Sequence, residues 1–184
     1  MTEQLNDKAL QTATLGGGCF WCIESALNMV KGIITAKPGY MGGQSEAPTY
    51  NAVCTGNTGH AEVVQLAFDS QVISFREILE IFFTLHNPTQ LNRQGNDVGT
   101  QYRSEIFTHD AEQHEIAEQI IKEMSQEQLF DDPIVTQVSP AVTFHCGEDY
   151  HMNYFNNNPE NQYCQAVVSP KLAKFRKTFV AKLK

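Results

Sequence analysis

The chain has 184 residues, 41% of them hydrophobic and 18% charged, with a net charge of −8. This composition supports one domain with a real core and excludes a disordered chain; no apolar run approaches the ~20 residues needed to span a bilayer. The first residues, MTEQLNDKALQT, have neither the basic start nor the apolar stretch of a signal peptide, so a cytoplasmic protein is expected.

In chain order, residues 13–15 read as a first strand. Three glycines and Cys19 follow, and then Phe20, Ile23, Leu27 and Val30 recur at helical spacing. Residues 33–36 and 63–68 read as strands. Between them lies a long, polar, glycine-rich stretch, 39–60. Ser74 and Glu77 form a capping box ahead of Ile78, Leu79, Phe82, Phe83 and Leu85, a helix that Pro88 ends. After a second long polar stretch, 87–101, residues 102–107 predict a strand. Asp110 with Gln113 opens a helix whose apolar face is Ile116, Ile120 and Met124. Residues 134–138 read as a strand and 146–163 as a third long loop. Ser169-Pro170 reads as an N-cap and first turn, followed by Leu172, Phe175 and Phe179 on one face. Alternating strands and helices at irregular spacing predict a mixed sheet with helices packed on it. Long structured loops are where function concentrates, and these three are expected to converge on one face.

All 21 acidic residues precede Ser169, whereas six of the 13 basic residues fall in the last 16 positions. A cationic C-terminal helix lying on an acidic body is expected, and the acidic body argues against a nucleic-acid partner.

Five cysteines in a reducing compartment do not form a disulfide framework, so each is weighed for reactivity or metal binding. Cys19 stands at the head of a helix, where free N–H groups and the helix dipole favour a thiolate. That makes it a nucleophile candidate. Cys22 lies one turn on, which leaves open a CxxC dithiol–disulfide carrier. A zinc site joining this pair to His145, Cys146 and His151 is the other rival, but the second half lacks clean ligand spacing.

The segments GGCFWCIE, PTYNAVCTGNTGHAEVVQLAFD, GNDVGTQYRSEIF and FHCGEDYHMNYF resemble, in this order and over nearly the whole chain, the type A peptide methionine sulfoxide reductases. The resemblance implies an α+β fold: a two-layer sandwich with a ferredoxin-like core, a mixed sheet with helices packed against it, and long active-site loops. It implies one catalytic domain over 1–184, with a mobile resolving segment around 156–168 and a basic C-terminal helix. The implied reaction reduces the S epimer of methionine sulfoxide in proteins, peptides or the free amino acid. It passes through a sulfenic acid and an intramolecular disulfide, and needs neither cofactor nor metal.

Within that resemblance Cys19 is the nucleophile and Glu62 the acid. Tyr50 and Tyr102 hydrogen-bond the sulfoxide oxygen, Phe20 and Trp21 hold the S-methyl group, and Asp97 helps hold the substrate's main chain. Cys164 is the resolving thiol, with Cys22 or Cys146 as alternatives. Thioredoxin is the reductant, and the protein is expected to work as a monomer away from membranes and nucleic acid. The chain departs from the commoner pattern at Cys22, Cys146 and Met152, where glycine, proline and glutamine are usual.

Overall fold

A computed structural model describes residues 9–184; the first eight residues of the domain expected over 1–184, and most of the leading stretch behind the cytoplasmic expectation, lie outside the described residues. The elements are β1 (Leu10–Gly17), α1 (Phe20–Leu27), β2 (Ile33–Met41), α2 (Tyr50–Cys54), β3 (Ala61–Asp69), α3 (Phe75–Leu85), β4 (Arg93–Gln94), β5 (Asp97–Val98), β6 (Ser104–Thr108), α4 (Ala111–Gln126), β7 (Gln137–Pro140), β8 (His145–Cys146), α5 (Tyr154–Asn157) and α6 (Ser169–Thr178). The six-stranded sheet runs β7-β6-β1-β3-β2-β8. The four inner strands, taken with α1 and α3, form a β-α-β-β-α-β unit in the spatial order fourth-first-third-second. This is the ferredoxin-like arrangement that was expected. All pairings are antiparallel except β6 with β7.

Strand alternation sorts the core. Ala13, Leu15, Val64, Leu66, Phe68 and Ile106 face the helix layer and join Phe20, Ile23, Leu27, Ile78 and Phe82 in the main cluster. Met41, Ala61, Val63 and Phe107 point to the other face, where Ala141 and Phe144 cover them.

Several boundaries differ from the sequence expectation, each for a local reason. β1 is eight residues long rather than three. It is hydrogen-bonded on both sides, and its Thr14 is fully buried with Oγ1 between Gln65 Nε2 (3.2 Å) and His109 Nε2 (2.9 Å). β2 continues through Pro38 and Gly39 to Met41. Gly39 is needed there because a Cβ would collide with the His145 carbonyl oxygen as β8 closes on the edge. Residue 102 does not open a strand; Tyr102 ends a 3-10 turn over Thr100–Tyr102, and β6 starts at Ser104. The strand expected over 134–138 begins at Gln137, since Val135 instead donates its N–H to Pro88 O (2.8 Å).

Ser169 is not an N-cap. It sits at φ −58° and ψ −47° inside a helical run that starts upstream, and Cys164–Val168 form a π turn just before Pro170. Proline lacks the N–H and crowds the preceding turn, and the wider π turn accommodates it. The basic end is tied down as expected: Lys182 Nζ donates to Glu77 Oε1 at 2.8 Å, and Lys184 N donates to Met29 O.

His86 closes α3. Its Nδ1 donates to Phe82 O (2.8 Å), and its Nε2 accepts from the Ser104 hydroxyl (2.7 Å). Burial pushes its pKa from 6.5 down to about 4. Between those values the unfolded chain binds a proton that the folded chain refuses. The stability is therefore complete above the higher value and lost as pH falls toward the lower, by about 3 kcal/mol in all. A His86→Gln variant is expected to flatten this acid limb of a Tm-against-pH curve. An unchanged limb would assign the acid sensitivity to other groups.

Candidate active site

The site forms where β1 hands over to α1. Gly18 turns the chain at φ +94°, a conformation that suits glycine, and Cys19 follows as the residue that heads α1. Cys19 is half-buried; Phe20, 1% exposed, packs beneath it. Glu62 lies on β3 opposite Tyr40 of β2. It continues the helix-facing row Val64, Leu66 and Phe68, so period-two alternation carries a carboxyl into the apolar layer, 1% exposed. There Glu62 Oε1 accepts the Phe20 backbone N–H at 3.2 Å. Burial first, and the neighbouring Cys19 second, push Glu62 well above the usual carboxylate range. Both effects favour its protonated form.

The helix-head argument for a Cys19 thiolate does not hold in the folded site. Burial raises the thiol's pKa, Cys22 beside it acts in the same direction, and the Trp21 backbone N–H and the Tyr163 hydroxyl oppose them without prevailing. The resting sulfur is a thiol, beside a carboxyl that also keeps its proton.

Tyr50 and Tyr102, both half-buried, are kept protonated by burial and by Glu62. The Phe20 ring lies 6.4 Å from Tyr50, nearly parallel, and Trp21 lies 6.2 Å from Tyr50. Trp21 stacks on Tyr154 at 3.8 Å and donates its Nε1–H to His151 Nδ1 at 3.0 Å. These rings give an aromatic pocket with phenolic O–H groups and a neutral carboxyl at its wall. Asp97, on β5, accepts the Tyr163 hydroxyl at 2.5 Å. Cys164 follows Tyr163 and is fully buried in the main core; burial and Cys19 both raise its pKa. Cys22 is 6% exposed, whereas Cys54 and Cys146 lie at the surface. No two cysteines are bonded, and among the described residues no cluster of three His, Cys, Asp or Glu side chains is arranged to hold a metal. His151 has its Nδ1 committed to Trp21, and His145 and Cys146 are ladder residues of β8, so the zinc grouping does not assemble.

Some residues of the site had a weak signal or none. Glu148 accepts the Tyr40 hydroxyl and the Tyr50 backbone N–H, both at 2.9 Å, and so anchors α2. Burial pushes its pKa up, but these hydrogen bonds outweigh it and hold the carboxyl ionised. Glu62 neutral and Glu148 charged are thus two carboxyls with environments pushed apart. Tyr163, the residue before Cys164, carried no signal of its own in the sequence. Glu24 is 1% exposed, raised by burial to about 7, and its Oε2 accepts the Asn153 N–H at 3.0 Å. Its place on the stripe Phe20, Glu24, Leu27 was a usable sign of burial. His60 holds its loop: Nδ1 accepts from Gly43 N (3.0 Å) and Nε2 donates to Ser45 O (2.7 Å).

Residues 11–183 match the family described as peptide methionine sulfoxide reductase. The chain belongs to that family. It is 53% identical over 180 residues to a peptide methionine sulfoxide reductase MsrA of Polynucleobacter asymbioticus, covering 96% of this chain and 95% of the relative. The reduced form of Mxr1 from Saccharomyces cerevisiae superposes with a TM-score of 0.79 at 34% identity, over 89% of this chain and 93% of that one. Mxr1 in complex with Trx2 shares the fold at 24% identity and a TM-score of 0.56, over 83% and 90% of the two chains. As a peptide methionine sulfoxide reductase the protein is an oxidoreductase, which settles the choice against a general CxxC dithiol carrier. No helix among the described residues is long and apolar enough to cross a membrane.

Proposed function

We propose that this reductase acts on the S epimer of methionine sulfoxide, with Cys19 as nucleophile and Glu62 as acid. The Cys19 sulfur attacks the sulfoxide sulfur while the S–O bond breaks. Glu62 protonates the departing oxygen, and Tyr50 and Tyr102 donate hydrogen bonds to it. The oxygen, having also taken the thiol's proton, adds as water to the Cys19 sulfur while that sulfur's new bond to the substrate sulfur breaks; Cys19 becomes a sulfenic acid, methionine leaves, and the proton the water sheds restores Glu62. Cys19 is oxidised by two electrons and the substrate is reduced by two. Cys164 then attacks the sulfenic sulfur, forming a disulfide and releasing water, and a dithiol reductant regenerates both thiols.

The observation that carries this reading is the burial of Glu62 against the Cys19–Phe20 turn, which raises its pKa and favours its protonated form beside the sulfur. Phe20 and Trp21 supply a face for the S-methyl group. With the oxygen held on one side by phenols and carboxyl, only one epimer fits. Asp97 receives the substrate's main-chain N–H. The 156–168 segment moves to bring Cys164 to Cys19, and Cys22 and Cys146 are the alternative resolving thiols. Thioredoxin is the reductant; the yeast relative's complex with Trx2 supports this assignment. The whole set of groups comes from one chain, which supports a monomer as the working unit, and five unpaired thiols fit a cytoplasmic setting.

The test offers racemic N-acetyl-methionine sulfoxide with excess dithiothreitol and follows both epimers by chiral chromatography. The S form is expected to disappear and the R form to persist. Equal loss of both would overturn the pocket assignment.

A further inference from the structure

The hydroxyl of Tyr163 stands on Asp97 Oδ2 at 2.5 Å, and its ring lies edge-on to Trp21 at 5.9 Å. It therefore sits inside the site, between the carboxylate assigned to the substrate's main chain and the ring assigned to its methyl group. The next residue in the chain is Cys164.

The polar ties of residues 158–168 are otherwise internal to the C-terminal segment. Asn158 Nδ2 donates to Tyr154 O, Asn161 Nδ2 to the Tyr154 hydroxyl oxygen, Cys164 N to Asn161 Oδ1, and Gln165 Nε2 to Pro159 O. Among the described residues, the Tyr163 hydroxyl is the one polar group that fastens this stretch to the rest of the protein, donating to Asp97 Oδ2 with the Cys19 sulfur beside it. The remaining hold is apolar, through Cys164 and Val168 in the core with Tyr163 and Val167 against it.

We propose that Tyr163 is a latch opened by substrate: its hydroxyl occupies the place on Asp97 that a substrate backbone N–H takes, so that filling the site detaches residues 158–168 and frees Cys164. The inference rests on the reading of Asp97 as main-chain anchor and of Cys164 as resolving thiol. Asp97 Oδ2 gives up a phenolic donor and gains an amide donor, so its own hydrogen bonding is nearly conserved, and the cost of opening falls on the segment's apolar contacts. The resolving thiol stays packed away while the site is empty and becomes available when a sulfoxide has been loaded. Tyr163 is thus a positioning residue that acts on chemistry through Asp97 and Cys164.

The test measures alkylation of Cys164 by iodoacetamide in the fully reduced protein, resolved by peptide mass spectrometry. Two thioether probes that do not oxidise Cys19 are compared. N-acetyl-methionine amide carries backbone N–H groups; methyl 4-(methylthio)butanoate has the same thioether arm and none. The amide at saturation is expected to speed alkylation about tenfold, the scale of losing one hydrogen bond to a charged group, and the ester to leave it unchanged. Tyr163→Phe keeps the ring and removes the latch. It should alkylate rapidly with no probe and respond little to the amide. Its KM for N-acetyl-methionine sulfoxide amide should fall severalfold, because substrate no longer displaces the phenol.

Slow alkylation of Cys164 in a folded Tyr163→Phe protein would overturn the latch and leave the Asp97 assignment intact. Rapid alkylation in that variant, with both probes acting equally on the wild type, would overturn Asp97 as main-chain anchor and with it the opening by substrate. An amide probe that inhibits competitively but leaves Cys164 alkylation unchanged would overturn the coupling itself.

Discussion

Cys19→Ser should reduce no methionine sulfoxide above the uncatalysed background, because a serine hydroxyl cannot accept the oxygen and be recycled by thiols. Cys164→Ser should still release about one equivalent of methionine per enzyme in a single rapid burst, since the first step uses only Cys19. It should then stall with thioredoxin as the sole reductant. The measurement is methionine released per enzyme in a quenched time course without added small thiols. Multiple turnovers by Cys164→Ser under those conditions would move the resolving role to Cys22, which lies in the adjoining turn, or to Cys146. Activity surviving in Cys19→Ser would remove the proposed chemistry altogether.

Glu62→Gln is expected to slow the burst itself by roughly 10²–10⁴, the usual scale of general-acid help. The pH dependence has a definite sign. Glu62 works when protonated, and its folded pKa is raised, so wild-type burst rates should persist well above the ordinary carboxylate range. They should fall as pH rises through that raised value. The glutamine variant should lack this alkaline decline. The same substitution should stabilise the protein. A carboxyl whose folded pKa is raised binds its proton more tightly folded than unfolded, so wild-type stability is fully present below the unfolded value of about 4.3 and is lost as pH rises toward the folded one. Glu62→Gln removes that loss: its Tm should match wild type near pH 4 and exceed it near pH 8. A variant with wild-type burst rate and no stability gain would place the proton source elsewhere.

How much of this could be read from the chain alone depends on how far each residue's partner lies. The capping box at Ser74 and Glu77 formed with both of its bonds, and Asp110 accepts from Gln113 N, because those signals are complete within four residues. Strand ends were poorly legible. Thr14 and Gln65 look polar in sequence, yet they sit in central strands, where Gln65 Nε2 donates to Thr14 Oγ1 across the strand pair. Short α2, with Thr49 as its cap, and α5, started from Asn153 at φ +53°, lay hidden within stretches read as loops. In the site, the family resemblance supplied Cys19, Glu62 and the two tyrosines as candidates. It could not supply the protonation of Cys19, which depends on burial, nor Glu148, whose partners Tyr40 and Tyr50 are about a hundred residues away. The helix-end pattern at Ser169-Pro170 misled because a π turn lets a proline sit within a longer helical run.

The anchoring of both flanks of the Cys164 segment has one more consequence. Upstream, Asn153 is held by Glu24; downstream, α6 rests on α1, and the terminus is clasped at Met29 and Val30. A strand of chain pinned at each end explores a small volume, which keeps its thiol at a local concentration on the order of millimolar or more around its target. Free glutathione and the thiols of neighbouring copies must compete with that local supply for the oxidised sulfur. Mixed disulfides and cross-linked dimers should therefore stay rare even in concentrated solution.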